Sequence, residues 1–217
     1  MDRHAVIFDM DGTLIDSMPY WERLTDEFLE QYDIPDPVLS DLKEQIETMT
    51  LSESAELFQA VLQLDCPPEE IELAMGDLMD RHYQTDIPLR PGVLEFLEKL
   101  REEGVPMCVV TLTPTPLAQA CLERLGVAEF FSFILSSDDA QVSKDNPEIF
   151  RMAAWEFDAY PSEVAVFEDS IYAARAAKEA GCWVVGVYEE TSAHRWERMQ
   201  RLCDETIESW EEALIHL

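Results

Sequence analysis

The stretch "AVIFDMDGTLID", residues 5–16, decides the fold. It begins as a continuous apolar run and then turns abruptly to Asp9, Asp11 and Gly12. An apolar run without polar alternation suits a strand covered on both faces, the habit of parallel sheets. Side chains alternate along a strand, so residues i and i+2 share a side. On that reading Asp9 and Asp11 face the same way and repel each other. Asp-Gly is ordinary turn chemistry, but two converging carboxylates also suit a divalent cation or an acid–base pair.

The runs "MCVV" (107–110), "EVAVF" (163–167) and "WVVGV" (183–187) repeat the pattern, with "FFSFILSS" (130–137) as a fifth strand. Between them lie "GVLEFLEKLREEG" (92–104), "PLAQACLERLG" (116–126), "PEIFRMAAWEF" (147–157) and "YAARAAKEAG" (172–181). Each has helical spacing, and three end at a glycine suited to a C-cap. Apolar strands alternating with helices predict an α/β fold, a doubly wound, Rossmann-like parallel sheet. Residues 14–88 break the rhythm with "YWERLTDEFLEQY", "VLSDLKEQIETM", "LSESAELFQAVL" and "PEEIELAMGDLMDRHYQ". That block is too long for a single crossover. It predicts an inserted all-helical cap domain over 14–88, with the α/β core formed by 1–13 and 89–217.

Forty-six acidic residues against 15 basic ones give a formal net charge of −31. Nucleic acids and anionic membranes reward a basic patch, so neither is expected as a partner. The five cysteines, Cys66, Cys108, Cys121, Cys182 and Cys203, contain no C-x-x-C pair and are odd in number. They suit reduced thiols rather than a disulfide framework or a metal cluster. "MDRHAVIFD" runs directly into a strand, unlike a signal peptide, and no apolar run approaches a membrane span. A cytoplasmic protein is expected.

Ligands of open α/β sheets bind beyond the carboxyl ends of the strands. There the sequence places Asp9 and Asp11 after the first strand, Thr111 and Thr113 after the second, Lys144 beyond the third, and Glu168, Asp169 and Ser170 after the fourth. Each residue alone has an ordinary reading: a turn, a helix cap, a solvated lysine, a structural acid. Their common placement at one sheet edge is what points to chemistry.

Together these segments resemble the haloacid dehalogenase-like hydrolases with a helical cap after the first motif, in particular the β-phosphoglucomutase-like phosphatases. "FDMDGTLIDS" is similar to that family's D-x-D-G-T motif, and "VVTLT" to an apolar strand ending in Thr or Ser. "SKDNPEIF" supplies a lysine motif, and "VFEDSIYAARAAKEAG" an acidic pair before a small-residue helix. The resemblance implies a Mg²⁺-dependent phosphatase acting on a small phosphorylated metabolite. Asp9 would be the nucleophile and Asp11 the acid and base, with Thr111, Leu112 and Lys144 at the phosphate. Asp9, the Asp11 carbonyl, Asp169 and Glu168 would surround the metal.

Three departures from the family pattern carry expectations. Asp145 follows Lys144 where proline is usual, and an acid there is expected to weaken the lysine's field. Leu112 replaces a polar residue, and Ala173 a glycine. The mutase subgroup has a cap-side histidine and an arginine at about the places of Trp21 and Leu51, so hydrolysis is favoured over phosphoryl transfer between sugars. A non-catalytic binding relative fits poorly with retention of Asp9, Asp11, Lys144 and Asp169. Ser17, Trp21 and Met49 are the candidate substrate contacts beside the cap. Residues 14–88 hold only Arg23, Lys43 and Arg81 as Lys or Arg, so a substrate with one phosphate on a neutral or apolar body is expected.

Overall fold

In the computed structural model, which describes residues 4–32, 34–46, 49 and 51–216, the first apolar run forms β1 (Ala5–Phe8). Four helices follow: α1 (Met18–Leu29), α2 (Asp36–Ile46), α3 (Leu51–Leu62) and α4 (Pro68–Thr85). The chain continues with α5 (Val93–Glu102), β2 (Met107–Thr111), α6 (Thr115–Arg124), β3 (Ile134–Ser136) and the short α7 (Ser137–Ala140). Then come α8 (Glu148–Glu156), β4 (Val164–Glu168), α9 (Ile171–Ala180) and β5 (Trp183–Val187). The described chain closes with α10 (Trp196–Leu202), β6 (Glu205–Ile207) and α11 (Trp210–His216).

The strands form one parallel sheet of six in the order β3-β2-β1-β4-β5-β6. β1 therefore sits centrally, with Ile7 in register with Cys108 on one side and Val166 on the other. Alternation along the strands builds two apolar layers. Ala5, Ile7, Val164 and Val166 pack with Ile149, Phe150 and Ala153 of α8 and with the alanines of α9. On the opposite face Phe8 stacks on Phe167 at 5.2 Å, and both meet Phe96 of α5 and Trp210 of α11. The alanine-rich face of α9 explains how Ala173, only 4% exposed, fills a glycine's place without strain.

Two strand expectations change. "FFSFILSS" contributes only Ile134–Ser136, because Ala128–Phe130 is a 3₁₀ turn and the edge strand pairs with β2 only from Val109 onward. Arg101 lies over the Phe130 ring at 4.1 Å, which holds that turn against α5 instead. β6 has no apolar run, since "ETI" is a three-residue edge strand, so periodicity could not announce it.

The described chain divides into two compact units, Met1–Met18 with Ile87–Leu217, and Pro19–Asp86. Within the first unit the two linker segments pair with each other: Ile15 bridges Leu89 antiparallel, Asp16 N–H donates to Pro88 O, and Arg90 N–H donates to Leu14 O, both at 3.0 Å. The second unit packs its four helices on their own apolar stripe, including Leu24, Phe28, Ala55, Phe58, Ile71, Met75 and Tyr83. Phe28 and Phe58 stack at 5.7 Å in its centre. No helix among the described residues is long and apolar enough to cross a membrane.

Candidate active site

Burial of a polar side chain costs free energy unless it is partnered, so where the first unit tolerates that cost is informative. Its deeply buried polar residues are Asp9, Thr13, Ser17, Thr111, Thr113, Ser136, Lys144, Glu168 and Glu189. Every one closes a strand or lies in the segment that follows it, at the same edge of the sheet.

Asp9, Glu168 and Asp169 converge. One carboxylate oxygen from each lies within 4.8 Å of the other two. Lys144, itself only 5% exposed, pairs its Nζ with Asp9 Oδ1 and lies 2.8 Å from Glu168 Oε2. Burial alone would lower the ammonium's pKa, but the two carboxylates overturn that and raise it. Burial and the charge on Asp9 push the Glu168 carboxyl up, against the pull of Lys144 and the Ser170 N–H on Oε1 at 2.9 Å. Asp169 is pushed well up by burial and by the same two acids. Asp145 is exposed while Lys144 is buried against Asp9 and Glu168, so the two neighbouring side chains face different surroundings.

The reading that Asp9 and Asp11 share a strand face needs correction. β1 ends at Phe8, and residues 9–15 form a turn in which Gly12 has φ +77°. The two carboxylates thus acquire different partners. Thr113 Oγ1 donates to Asp11 Oδ2 at 2.7 Å, on the side of β2, while Asp9 takes Lys144. A Cβ on Gly12 would lie 2.6 Å from Asp169 Oδ2, so only glycine permits the turn to approach β4 this closely. Thr13 Oγ1 then donates to Asp169 Oδ1 at 3.1 Å. Thr111 Oγ1 accepts from Thr113 N–H at 3.0 Å and keeps its own proton to donate.

Other expected site residues stand apart from this cluster. Leu112 is 63% exposed, so any contact it makes with a polar group in this turn runs through its main chain. Ser17 is fully buried in the first unit, and its hydroxyl has no hydrogen-bond partner among the described residues. Trp21 and Met49 belong to the second unit, where Trp21 Nε1 donates to Tyr83 OH at 3.3 Å. Thr13, Thr113, Arg90 and Trp210 were not singled out by sequence, apart from Thr113 as half of a hydroxyl pair. Their roles depend on hydrogen bonds between residues 78 to 197 positions apart.

Three carboxyl groups converge with one ammonium among the described residues, and burial with mutual repulsion pushes two of them, Glu168 and Asp169, towards the neutral form in the absence of a cation. Asp9 Oδ2 is buried and receives no hydrogen bond among the described residues. A hard divalent cation with oxygen ligands fits both facts, since it favours the ionised carboxylates and takes up that oxygen.

A family model of haloacid dehalogenase-like hydrolases matches residues 4–181. The phosphoglycolate phosphatase of Escherichia coli O157:H7 is 31% identical over 205 residues, covering 86% of this chain and 81% of that protein. A phosphorylated carbohydrates phosphatase of Thermotoga maritima is 29% identical, covering 82% of this chain and 81% of its own. Among solved structures, a Thermotoga maritima protein assigned as a β-phosphoglucomutase superposes with a TM-score of 0.82 at 26% identity, covering 98% of this chain and 97% of that one. The chain belongs to the haloacid dehalogenase-like hydrolases. Its enzymatic class is that of the phosphoric monoester hydrolases.

Proposed function

We propose that the protein is a Mg²⁺-dependent phosphatase that hydrolyses a small phosphorylated metabolite through an aspartyl-phosphate on Asp9. The observation that carries this is the convergence of Asp9, Glu168 and Asp169 on one buried point beside Lys144. Asp9, Asp169 and the Asp11 carbonyl would hold the cation, with Glu168 completing the carboxylate set. When bound, the cation offsets the repulsion between a carboxylate and a phosphate dianion.

Asp9 donates an electron pair to phosphorus as the bond to the leaving oxygen breaks. Asp11 delivers its proton to that oxygen and departs as carboxylate. It then takes a proton from water, whose oxygen attacks phosphorus and breaks the Asp9–phosphorus bond, regenerating free Asp9 and acidic Asp11. Thr113, hydrogen-bonded to Asp11 Oδ2, orients that carboxyl for both transfers. The Lys144 ammonium, the Thr111 hydroxyl and the main-chain N–H of Leu112 would carry the non-bridging phosphoryl oxygens, since phosphoryl transfer is mostly positioning and charge stabilisation.

The helical segment 14–88 serves in this reading as a cap that selects the substrate body, with Ser17, Trp21 and Met49 as contacts. Its scarcity of Lys and Arg favours one phosphate on a neutral or apolar body over a bisphosphate. The relatives' names suggest phosphoglycolate and phosphorylated carbohydrates as first candidates. Five free cysteines suit a reducing compartment and support a cytoplasmic location. Against the mutase alternative, the indole of Trp21, at about the place of the mutase histidine, is engaged with Tyr83. Phosphate release from phosphoglycolate, sugar monophosphates and matched bisphosphates, with Mg²⁺ and with chelator, tests the reading. Absence of Mg²⁺-dependent release from all of them would refute it, and a preference for bisphosphates would refute the account of the cap.

A further inference from the structure

The turn that carries Asp11 is held plane by plane from outside itself. Its Gly12 N–H donates to Ile15 O at 3.0 Å, and both Leu14 N–H and Ile15 N–H reach Met10 O. Its outward carbonyls point the other way and need donors. Arg90, just beyond the return linker, donates through Nη1 to Gly12 O and through Nη2 to Tyr188 O at 2.6 Å, while its own N–H serves Leu14 O. Trp210 of α11 donates its indole N–H to the intervening Thr13 O at 3.1 Å and is 1% exposed.

The two carbonyls that Arg90 joins follow β1 and β5, and β4 lies between those strands in the sheet. One guanidinium therefore spans the strand that delivers Glu168 and Asp169. Its planar fork can serve two acceptors at once, which a lysine ammonium on the same stem cannot do with the same geometry. Both side-chain hydrogen bonds of Arg90 among the described residues end on main-chain carbonyls, so its contact with this turn is to the backbone.

We infer that Arg90 is a positioning residue: it fixes the Gly12–Thr13 peptide and thereby the placement of Asp11 for proton transfer, with Trp210 as its auxiliary. The inference rests on the role proposed above for Asp11. A misplaced acid–base group slows formation of the aspartyl-phosphate from an ester with a poor leaving group and matters little for a good one, whereas its part in hydrolysing that intermediate is the same for both. The contrast is therefore read in kcat/KM, which reports the steps up to release of the leaving group.

The test compares Arg90→Lys with wild type on 4-nitrophenyl phosphate, whose leaving group needs no proton, and on a simple alkyl phosphate, whose leaving group does. Circular dichroism and thermal melting establish the folded fraction. For Arg90→Lys, kcat/KM on the alkyl ester should fall by about 10–100-fold, the scale of sub-ångström to ångström misplacement. The fall in kcat/KM on the nitrophenyl ester should be several-fold smaller. Trp210→Phe, which keeps the ring and loses the N–H, should show the same leaving-group pattern more weakly. Equal losses of kcat/KM on the two esters in both variants, or full activity on both, would overturn the inference. Asp11→Asn serves as the reference: if it shows no leaving-group dependence, the role of Asp11 is wrong and the inference falls with it. If Asp11→Asn shows the dependence and the Arg90 and Trp210 variants do not, only the inference fails.

Discussion

The two units treat polar atoms in opposite ways. The first buries Asp9, Lys144, Glu168 and a set of hydroxyls at one sheet edge, whereas among the described residues of the helical unit only Ser54 is a deeply buried polar side chain. The charge cluster of the helical unit lies nearer the surface: His82 pairs its Nε2 with Glu27 Oε2 at 2.7 Å and its Nδ1 with Asp86 Oδ2 at 2.9 Å, against the ring of Tyr20 at 4.9 Å. Buried charge is expensive and persists where something offsets it. In the first unit the offset is incomplete, with one ammonium for three carboxyl groups and the pKa of two of them raised. In the helical unit water and mutual pairing suffice. The contrast separates the site proposed to take a cation and a phosphate from a scaffold whose charges are paired near the surface.

Breaking the first side of this contrast should have the largest effect. Asp9→Asn removes the attacking oxygen and one carboxylate charge at once. Turnover should disappear, while Lys144 keeps Glu168 as partner and the fold survives. Phosphate release near the wild-type rate, with an intact melting transition, would exclude attack by Asp9.

The Asp11 side chain lies outside the carboxylate cluster, bonded instead to Thr113, so its loss should be smaller and specific. Asp11→Asn should slow hydrolysis of an alkyl phosphate by about 10²–10⁴-fold, the usual worth of general acid–base catalysis. A loss well below that range, measured at saturating substrate, would move the proton transfer to another group.

The carboxyl cluster also predicts a response to metal. Binding to the folded state alone contributes roughly 2.7 kcal/mol at a hundredfold excess over Kd, which corresponds to an increase in melting temperature of about 5–10 °C for a chain of this size. Wild type should show that rise with Mg²⁺ and lose it with chelator. Asp169→Asn should blunt it. Identical melting curves under all these conditions would mean that the acids of the first unit coexist without a cation.

The smallest effect belongs to the helical unit. Burial would lower the pKa of His82, but the hydrogen bonds and charges of Glu27 and Asp86 outweigh burial and raise it. A raised histidine stabilises the fold fully below its ordinary value of about 6.5 and loses that contribution as pH rises through the folded pKa. Wild type should therefore lose of the order of 2 °C in melting temperature relative to His82→Gln across that window. The reverse slope in a differential pH–melting series would show that the histidine is neutral in the folded protein.

Much of this arrangement was legible in the sequence for a physical reason. Apolar runs report burial on both faces, so the strands read over 5–8, 107–110, 163–167 and 183–187 lie within a residue of those observed. Residues that close such strands must lie at the carboxyl edge, which is how Asp9, Thr111, Glu168 and Asp169 came to be named together. Lys144 lies further on, beyond a short edge strand and the segment after it, and was placed at the same edge on that order, with the motif giving it a role. Tertiary structure decided what periodicity cannot express. It gave Asp9 and Asp11 separate partners and showed Asp145 to be exposed beside a buried lysine. It also found β6, an edge strand too short and polar to carry a signal. The clamp on the turn is the plainest case: Arg90 and Trp210 hold neighbouring carbonyls of residues 12 and 13 from 78 and 197 positions away. Sequence pattern records which face of an element is apolar; which distant side chain reaches a given backbone oxygen is settled only when the layers pack.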